Sequence, residues 1–170
     1  MRRWRRVDCG WSVRCYWSDC VRLEPSGSGG FWLIDCVHML SGGGFALMSA
    51  RAVGVLRPLF EGCGEFLPLL LLGRSYWWFN CHVVFDGLDE IAAAIEWAGA
   101  ERFFGGKPGW PFDAELVGTA PAVFRVPQSP VGDLFVGEIV AAAVVDAGLT
   151  GFDLCPVWPG ERAAGGPFAL

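Results

Sequence analysis

Cysteine and histidine are the side chains of this sequence best suited to nucleophilic chemistry. Seven cysteines and two histidines occur among 170 residues, and one of each is adjacent, at Cys81 and His82. Adjacent residues of a strand point to opposite faces, so these two side chains cannot act on each other. A cysteine-dependent enzyme would need a thiol and an imidazole brought together across the fold, and the candidates are His38, His82, Cys36, Cys63 and Cys155. This is the least favoured of three functional hypotheses.

The cysteines also lack the spacing of a metal site or of a disulfide framework. No C-x-x-C pair is present, and the two histidines are not spaced as zinc ligands usually are. An odd number of cysteines without a secretory signal argues against disulfides. We therefore expect no metal, no cofactor, and reduced thiols that act as small buried hydrophobes. The seven are Cys9, Cys15, Cys20, Cys36, Cys63, Cys81 and Cys155.

Three acids, Asp86, Asp89 and Glu90, follow a long apolar run and could serve as paired carboxylates in acid–base chemistry. That role needs a second convergent group, which the sequence does not identify. A structural use is favoured, because Asp89 and Glu90 fall in the first turn of a predicted helix over Ile91–Ala98, where acids suit the helix dipole. Residues 95–97 alternatively form a strand.

Composition and charge restrict the kind of partner. Hydrophobic residues make up 53% of the chain and charged residues only 18%, against roughly 25% charged in an ordinary soluble domain. The surface is therefore thinly charged or partly covered by a partner. The net charge is −5; residues 1–24 carry six arginines and three acids, or +3, which leaves −8 on the rest. An acidic body argues against nucleic-acid binding and is compatible with a basic protein partner.

No targeting or membrane segment is expected. The arginines near the N-terminus are not followed by the apolar region of about 7 to 15 residues that a signal peptide requires. The most lipid-like run, residues 66–72, is far shorter than the roughly 18 to 20 residues that span a bilayer. The sequence therefore predicts a soluble, cytoplasmic protein.

Residues 76–90 form an aromatic and β-branched run that stops on three acids. The run predicts a central strand that is buried on both faces and is followed by a charged turn. A strand-helix-strand unit is predicted before it, with strands over 31–36 and 65–72. Between them, the Ser49 hydroxyl is placed to cap a helix that starts at Ala50. Pro58 lacks a backbone donor, so this helix should end or bend near Arg57.

A second strand-helix-strand unit is predicted after the central strand, over residues 122–158. It comprises strands over 122–126, 133–136 and 152–158, and a helix over 137–147 that ends in the usual way before Gly148. The apolar stripe predicted for that helix is Ile139, Val140, Ala143, Val144 and Ala147.

The two units match in hydrophobic pattern when one is shifted by 88 residues, which places Leu56 on Val144 and Pro68 on Pro156. The predicted fold class is α+β, with two strand-helix-strand half-repeats packed around a central mixed or antiparallel sheet. A single domain over 1–158 would comprise an N-terminal arm (1–30) with an edge strand near Trp11–Trp17, the first half-repeat (31–72), the central strand and helix (75–98) and the second half-repeat (122–158). Residues 159–170 are predicted to be a disordered tail.

Three segments together resemble the α+β immunity-protein families of bacterial polymorphic toxin systems. They are residues 45–69, 76–90 and 123–158, and the most specific part is the sequence Ala-Gly-Leu-Thr-Gly-Phe at Ala147–Phe152. Ser49 matches the first helix cap of those families, whereas Gly137 departs from the second, which weakens that cap by only a few tenths of a kcal/mol.

The resemblance implies a non-catalytic inhibitor that binds and blocks a cognate toxin protein. Since aromatic residues are frequent hot spots of protein interfaces, the contact is expected at Trp77, Trp78, Asn80, Asp86, Asp89 and Glu90, although the two tryptophans suit the core better than an interface. The alternative is a small-ligand-binding module with a pocket lined by tryptophans.

Overall fold

The computed structural model describes residues 22–23, 34–38, 46–93, 95–98, 101–104, 110–128, 133–157 and 168–169. These residues form an α+β structure with mostly antiparallel strand pairing, so the predicted fold class is confirmed at that level. In chain order the elements are β1 (Arg22–Leu23), β2 (Cys36–His38), β3 (Ala46–Ser49), α1 (Ala50–Phe60), β4 (Gly64–Leu71), β5 (Arg74–Cys81), β6 (Ile95–Ala98), β7 (Glu101–Phe104), β8 (Val123–Phe124), β9 (Phe135–Val136), α2 (Glu138–Asp146), β10 (Cys155–Pro156) and β11 (Phe168–Ala169).

Strand β5 lies at the centre of a five-stranded sheet with the order β1-β4-β5-β3-β2. Only β1 is parallel to its neighbour; the other pairs in this sheet are antiparallel. β4 and β5 pair from Gly64 opposite Cys81 to Leu71 opposite Arg74. The predicted central strand is confirmed up to Cys81, after which the chain leaves this sheet and pairs with Arg125 instead.

Helix α1 begins where the sequence predicts, because the Ser49 hydroxyl accepts a hydrogen bond from the Ala52 N–H at 3.1 Å. Of the end or bend predicted near Arg57, the end is wrong, since the helix continues through Pro58 to Phe60. Phe60 is fully buried, with its ring centroid 4.6 Å from that of Phe79. This packing holds the last residues helical despite the backbone hydrogen bond that Pro58 cannot make.

Both faces of the five-stranded sheet are buried. On one face, α1 and α2 cover a cluster of buried side chains, which we call the helix-covered cluster. It includes Met48, Leu56, Phe60, Phe79, Val140 and Val144. The opposite face carries a second cluster, formed by Val37, Leu47, Leu67, Leu69, Leu71, Tyr76 and Trp78. Burial on both sides explains why residues 76–79 are all aromatic.

Helix α2 ends as the sequence predicts, at a glycine with positive φ. Gly148 has φ +57°, its N–H bonds the Val145 carbonyl at 2.9 Å, and the Leu149 N–H bonds the Val144 carbonyl at 3.0 Å. This is the Schellman arrangement, which satisfies the last carbonyls of a helix. The predicted apolar stripe is wrong at Ile139, which is exposed, because Val140, Ala141 and Val144 fill the buried face.

Three further expectations are corrected. The helix over 91–98 is wrong: residues 91–93 form a turn and β6 pairs with β7, so the alternative strand is the observed one. The closing strand over 152–158 shortens to β10. The tail is not wholly disordered, since β11 lies between β10 and β9 in a four-stranded sheet with the order β10-β11-β9-β8.

Some expectations lie outside the described residues, among them the edge strand at Trp11–Trp17 and residues 31–33 of the first predicted strand. Within the described ranges, none of the helices is long and apolar enough to cross a membrane.

Candidate functional site

The three acids singled out in the sequence lie on one loop, residues 82–93, which is fixed to the strand segment 123–126. Val84 bridges Arg125 in parallel, the Phe85 N–H bonds the Arg125 carbonyl at 2.8 Å, and the Arg125 N–H bonds the Val83 carbonyl at 2.9 Å. Phe85 packs edge-on against Phe124, with 5.1 Å between ring centroids. Because its backbone is paired, the segment presents its side chains from a fixed position.

Gln128 joins two of the acids. Its side-chain Nε2 donates to Asp86 Oδ1 at 2.9 Å and to Glu90 Oε1 at 3.0 Å, so one amide group holds both carboxylates. Gln128 is only 4% exposed, and its Oε1 is buried without a hydrogen-bond partner among the described residues. Sequence reasoning missed Gln128, whose one signal is a polar residue in a proline-flanked turn directly after a buried strand.

Asp89 shapes the turn that follows. Its Oδ1 accepts hydrogen bonds from the Ile91 and Ala92 N–H groups at 3.0 and 2.9 Å, and its carbonyl accepts one from Ala93 at 2.8 Å. An aspartate capping its own turn in this way is a common local motif. The turn leaves Ile91 92% exposed. Sequence reasoning missed this exposure, because it placed Ile91 in a helix over Ile91–Ala98 rather than in a turn.

The loop rests on an aromatic core. Leu88 pairs with Phe112, through hydrogen bonds of 2.8 Å from Asp89 N–H to the Pro111 carbonyl and from Asp113 N–H to the Gly87 carbonyl. Phe112 packs edge-on against Phe124 and Phe135. We call Asp86, Asp89, Glu90 and Ile91 of this loop the acidic loop.

The acidic loop suits binding through complementary charge. Asp86 and Asp89 are exposed and Glu90 is half-buried, so the loop combines three carboxylates with the exposed apolar side chain of Ile91. Among the residues that the structure describes, no group of three or more His, Cys, Asp or Glu side chains is arranged to hold a metal ion. A surface of this kind can attract Lys and Arg side chains, and burial of Ile91 would add affinity.

The three remaining predicted contact residues lie mainly inside the sheet. Trp78 and Asn80 are buried, so neither side chain offers surface to a partner in this structure, while Trp77 is half-buried and packs against the helix-covered cluster. The Asn80 Nδ2 donates to Glu65 Oε1 at 3.1 Å and lies 3.1 Å from His82 Nε2. Asn80 thus joins β4 to β5 rather than facing solvent.

Three of the four described cysteines, Cys36, Cys63 and Cys81, belong to the cluster covered by α1 and α2. Cys36, Cys63 and Cys81 are buried, and Cys155 is exposed. Burial raises the pKa of the Cys36 thiol to about 12, with a further contribution from the Asp35 charge, and burial raises that of Cys81 to about 11. These two side chains are thus neutral thiols at pH 7, the less nucleophilic form. The His82 Nε2 atom lies 3.1 Å from Asn80 Nδ2 and 3.4 Å from Glu65 Oε1.

The Ala147–Phe152 motif has a structural task, which sequence reasoning missed. Asp35 Oδ2 accepts hydrogen bonds from the Thr150 N–H at 3.0 Å, the Thr150 hydroxyl at 3.2 Å and Arg51 Nη1 at 2.7 Å, while Oδ1 accepts one from the Ser49 hydroxyl at 2.8 Å. The same arginine donates through Nη2 to the Ala147 and Gly148 carbonyls at the end of α2.

This network ties the end of α2 to the start of α1. An acid inside the apolar segment 31–36 was the available signal, because a buried carboxylate needs donors. Burial would raise the pKa of Asp35, but the hydrogen bonds from Thr150 and Ser49 and the Arg51 charge outweigh it and hold that pKa below its usual value.

Comparison with known proteins gives no family for this chain: no protein-family model matches it, and no curated protein matches it significantly.

Proposed function

We propose that this chain is a non-catalytic, cytoplasmic immunity protein that binds a cognate toxin domain of a bacterial polymorphic toxin system and neutralises it. The proposal rests on the resemblance to immunity-protein families that is found in residues 45–69, 76–90 and 123–158. The single observation that carries it furthest is the acidic loop, in which Ile91 is 92% exposed beside Asp86, Asp89 and Glu90. The expected partner is a protein with a basic surface.

The position of Gln128 supports a binding role for this loop. A buried carbonyl oxygen without a donor costs on the order of 1–3 kcal/mol, and Gln128 Oε1 is such an atom among the described residues. Functional surfaces commonly carry such costs, because they are not optimised for stability. We interpret Gln128 as the residue that sets the spacing of the Asp86 and Glu90 carboxylates.

The half-repeat arrangement belongs to the same proposal. Helices α1 and α2 start 88 residues apart, at Ala50 and Glu138. Each follows a short buried strand, β3 or β9, and each precedes a strand that contains a proline, Pro68 or Pro156. We propose that these are two copies of one strand-helix-strand unit.

The test is direct binding between the purified chain and the product of the adjacent toxin gene in its native genome, measured by isothermal titration calorimetry. The proposal predicts tight binding that weakens as salt rises. Ile91→Ala should weaken it, and Asp86→Asn should slow association. Asp153→Asn, which removes an exposed acid outside the acidic loop, is the matched control and should change little.

One result would overturn the proposed function, and another would overturn only the assignment of its contact surface. If the toxin domain does not bind and the purified chain carries a small molecule, the ligand-binding alternative replaces it. If the toxin binds and both loop variants bind as tightly as the original chain, the immunity role stands and the acidic loop is not its contact surface.

A further inference from the structure

Helix α2 presents an apolar stripe to solvent, which the buried core does not use. Ile139 is 62% exposed and Val145 is 71% exposed, and Ala142, midway between them, is exposed as well. The spacing of three residues places all three on one side of the helix. We call Ile139, Ala142 and Val145 the α2 stripe.

Among the described residues, the side of α2 opposite the stripe is the one that packs into the core. The opposite side of α2 is already filled by Val140, Ala141 and Val144, which are buried in the helix-covered cluster or beside it. Exposed β-branched residues also lower helix propensity, because they lose side-chain freedom without gaining contacts. Packing and local helix stability therefore both leave Ile139 and Val145 unexplained.

Acids flank the stripe. Glu138 and Asp146 are exposed at the two ends of α2, and the helix contains no lysine or arginine. The nearby Arg51 is engaged by Asp35 and by the carbonyls at the end of α2. A surface with an apolar centre and acidic ends complements a partner with apolar residues between basic ones.

A second copy of this chain fits the surface poorly. If two α2 helices met in antiparallel orientation, Glu138 of one copy would lie near Asp146 of the other, and in parallel orientation each acid would meet its own equivalent. Each copy also carries a net charge of −5. Like charges at the edges of an interface oppose association.

We propose that the α2 stripe is a docking surface for a protein segment whose apolar residues are flanked by lysine or arginine. The surface lies on a different element from the acidic loop, and the proposal holds whether or not the partner of that loop is a toxin. An amphipathic helix laid along α2 would cover Ile139 and Val145 and place its basic residues beside Glu138 and Asp146.

The experiment titrates the full-length, isotope-labelled chain with a synthetic amphipathic helical peptide that carries leucines flanked by lysines. A second peptide with glutamates in place of the lysines is the charge control. Amide chemical shifts should change saturably along Glu138–Asp146 with the lysine peptide and not with the glutamate peptide. Ile139→Glu and Val145→Glu should each weaken binding about tenfold or more.

Leu116→Glu is the matched variant, because it places the same charge at another exposed apolar position, outside α2. It should bind the lysine peptide with unchanged affinity, and thermal unfolding should show that all three variants fold. Shift changes centred on the acidic loop, or equal affinity of the stripe variants, would overturn the proposal. Concentration-dependent dimers that Ile139→Glu abolishes would overturn it in favour of self-association.

Discussion

Replacing Asp35 with alanine should destabilise the whole chain, because this carboxylate joins the end of α2 to the start of α1. The substitution removes the acceptor of four hydrogen bonds, from Thr150, Ser49 and Arg51. Hydrogen bonds to a charged group contribute about 1.5–3 kcal/mol each when buried. Thr150 and Arg51 are exposed and can be rehydrated, and an exposed ion pair adds only about 0–1 kcal/mol. The expected loss is therefore about 2–4 kcal/mol.

Urea unfolding measures this loss. With a slope of about 2 kcal/mol per molar urea, the midpoint should fall by about 1–2 M at pH 7, with the slope unchanged. Asp153→Ala removes an exposed carboxylate and should stay within about 0.5 kcal/mol of the original chain. A loss below about 1 kcal/mol for Asp35→Ala would refute the reasoning, since it would mean that water replaces the carboxylate at almost no cost.

Acid should remove the same stabilisation. The pKa of Asp35 is lowered in the folded chain from its usual 3.8, because its hydrogen bonds and the Arg51 charge outweigh the opposing effect of burial. A depressed carboxylate pKa stabilises the fold above the unfolded-state value, and this contribution disappears as pH falls through the folded-state value. The stability difference between the original chain and Asp35→Asn should therefore be full at pH 7 and shrink below pH 3.8. A difference that grows on acidification would show that the sign is wrong.

Two further predictions concern the backbone and the thiols. Gly151 has φ +84°, and a Cβ there would lie 2.1 Å from the Cys36 carbonyl oxygen, so Gly151→Ala should lower stability by more than about 2 kcal/mol. Gly73 is the control: it has φ +75° and no atom within 4 Å of the added Cβ, so Gly73→Ala should cost only about 1 kcal/mol. Equal losses for the two variants in urea unfolding would contradict the proposed clash. In the folded chain a thiol reagent should modify Cys155 and spare Cys36 and Cys81, because Cys155 is exposed and the other two are buried with raised pKa values. Cys155→Ser should thus remove one reactive thiol, while Cys36→Ser should leave the number unchanged, and a lower number for Cys36→Ser would show that its burial is incomplete.

The sequence predicted elements whose causes are local. Ser49 begins α1 through one hydrogen bond to a residue three positions later, and Gly148 ends α2 by adopting positive φ. The run around Trp77 is apolar enough to require burial on both faces. Each of these signals lies within a few residues of the structure that it specifies, so no knowledge of the rest of the fold was needed.

The elements that failed depend on distant partners. The residues around Ile95 predict a helix, yet strand β6 forms there because β7 is available to pair with it. Likewise, β11 exists because β9 and β10 offer partners more than ten residues away. Tertiary pairing of this kind overrides local preference and leaves little trace in a single sequence.

The candidate site divides in the same way. The acids Asp86, Asp89 and Glu90 were visible as a charged end to an apolar run. The role of Gln128 was not, because its two contacts are 42 and 38 residues away. Ile91 is exposed because it lies in the turn that Asp89 caps. The sequence predicted a helix there instead, so this exposure was not predicted.

The Ala147–Phe152 motif, the most specific part of the resemblance, stabilises the fold. Its presence therefore does not identify a binding surface. Thr150 bonds Asp35, and Gly151 lies where a Cβ would strike the Cys36 carbonyl oxygen. Both residues join the end of α2 to the β2 region and α1, so a chain could keep this motif while its exposed surfaces changed entirely. The two surfaces that we propose for recognition are the acidic loop and the α2 stripe, and neither includes a residue of the motif. Partner specificity must therefore be tested at Ile91 and Ile139, whereas substitutions at Thr150 and Gly151 test the fold.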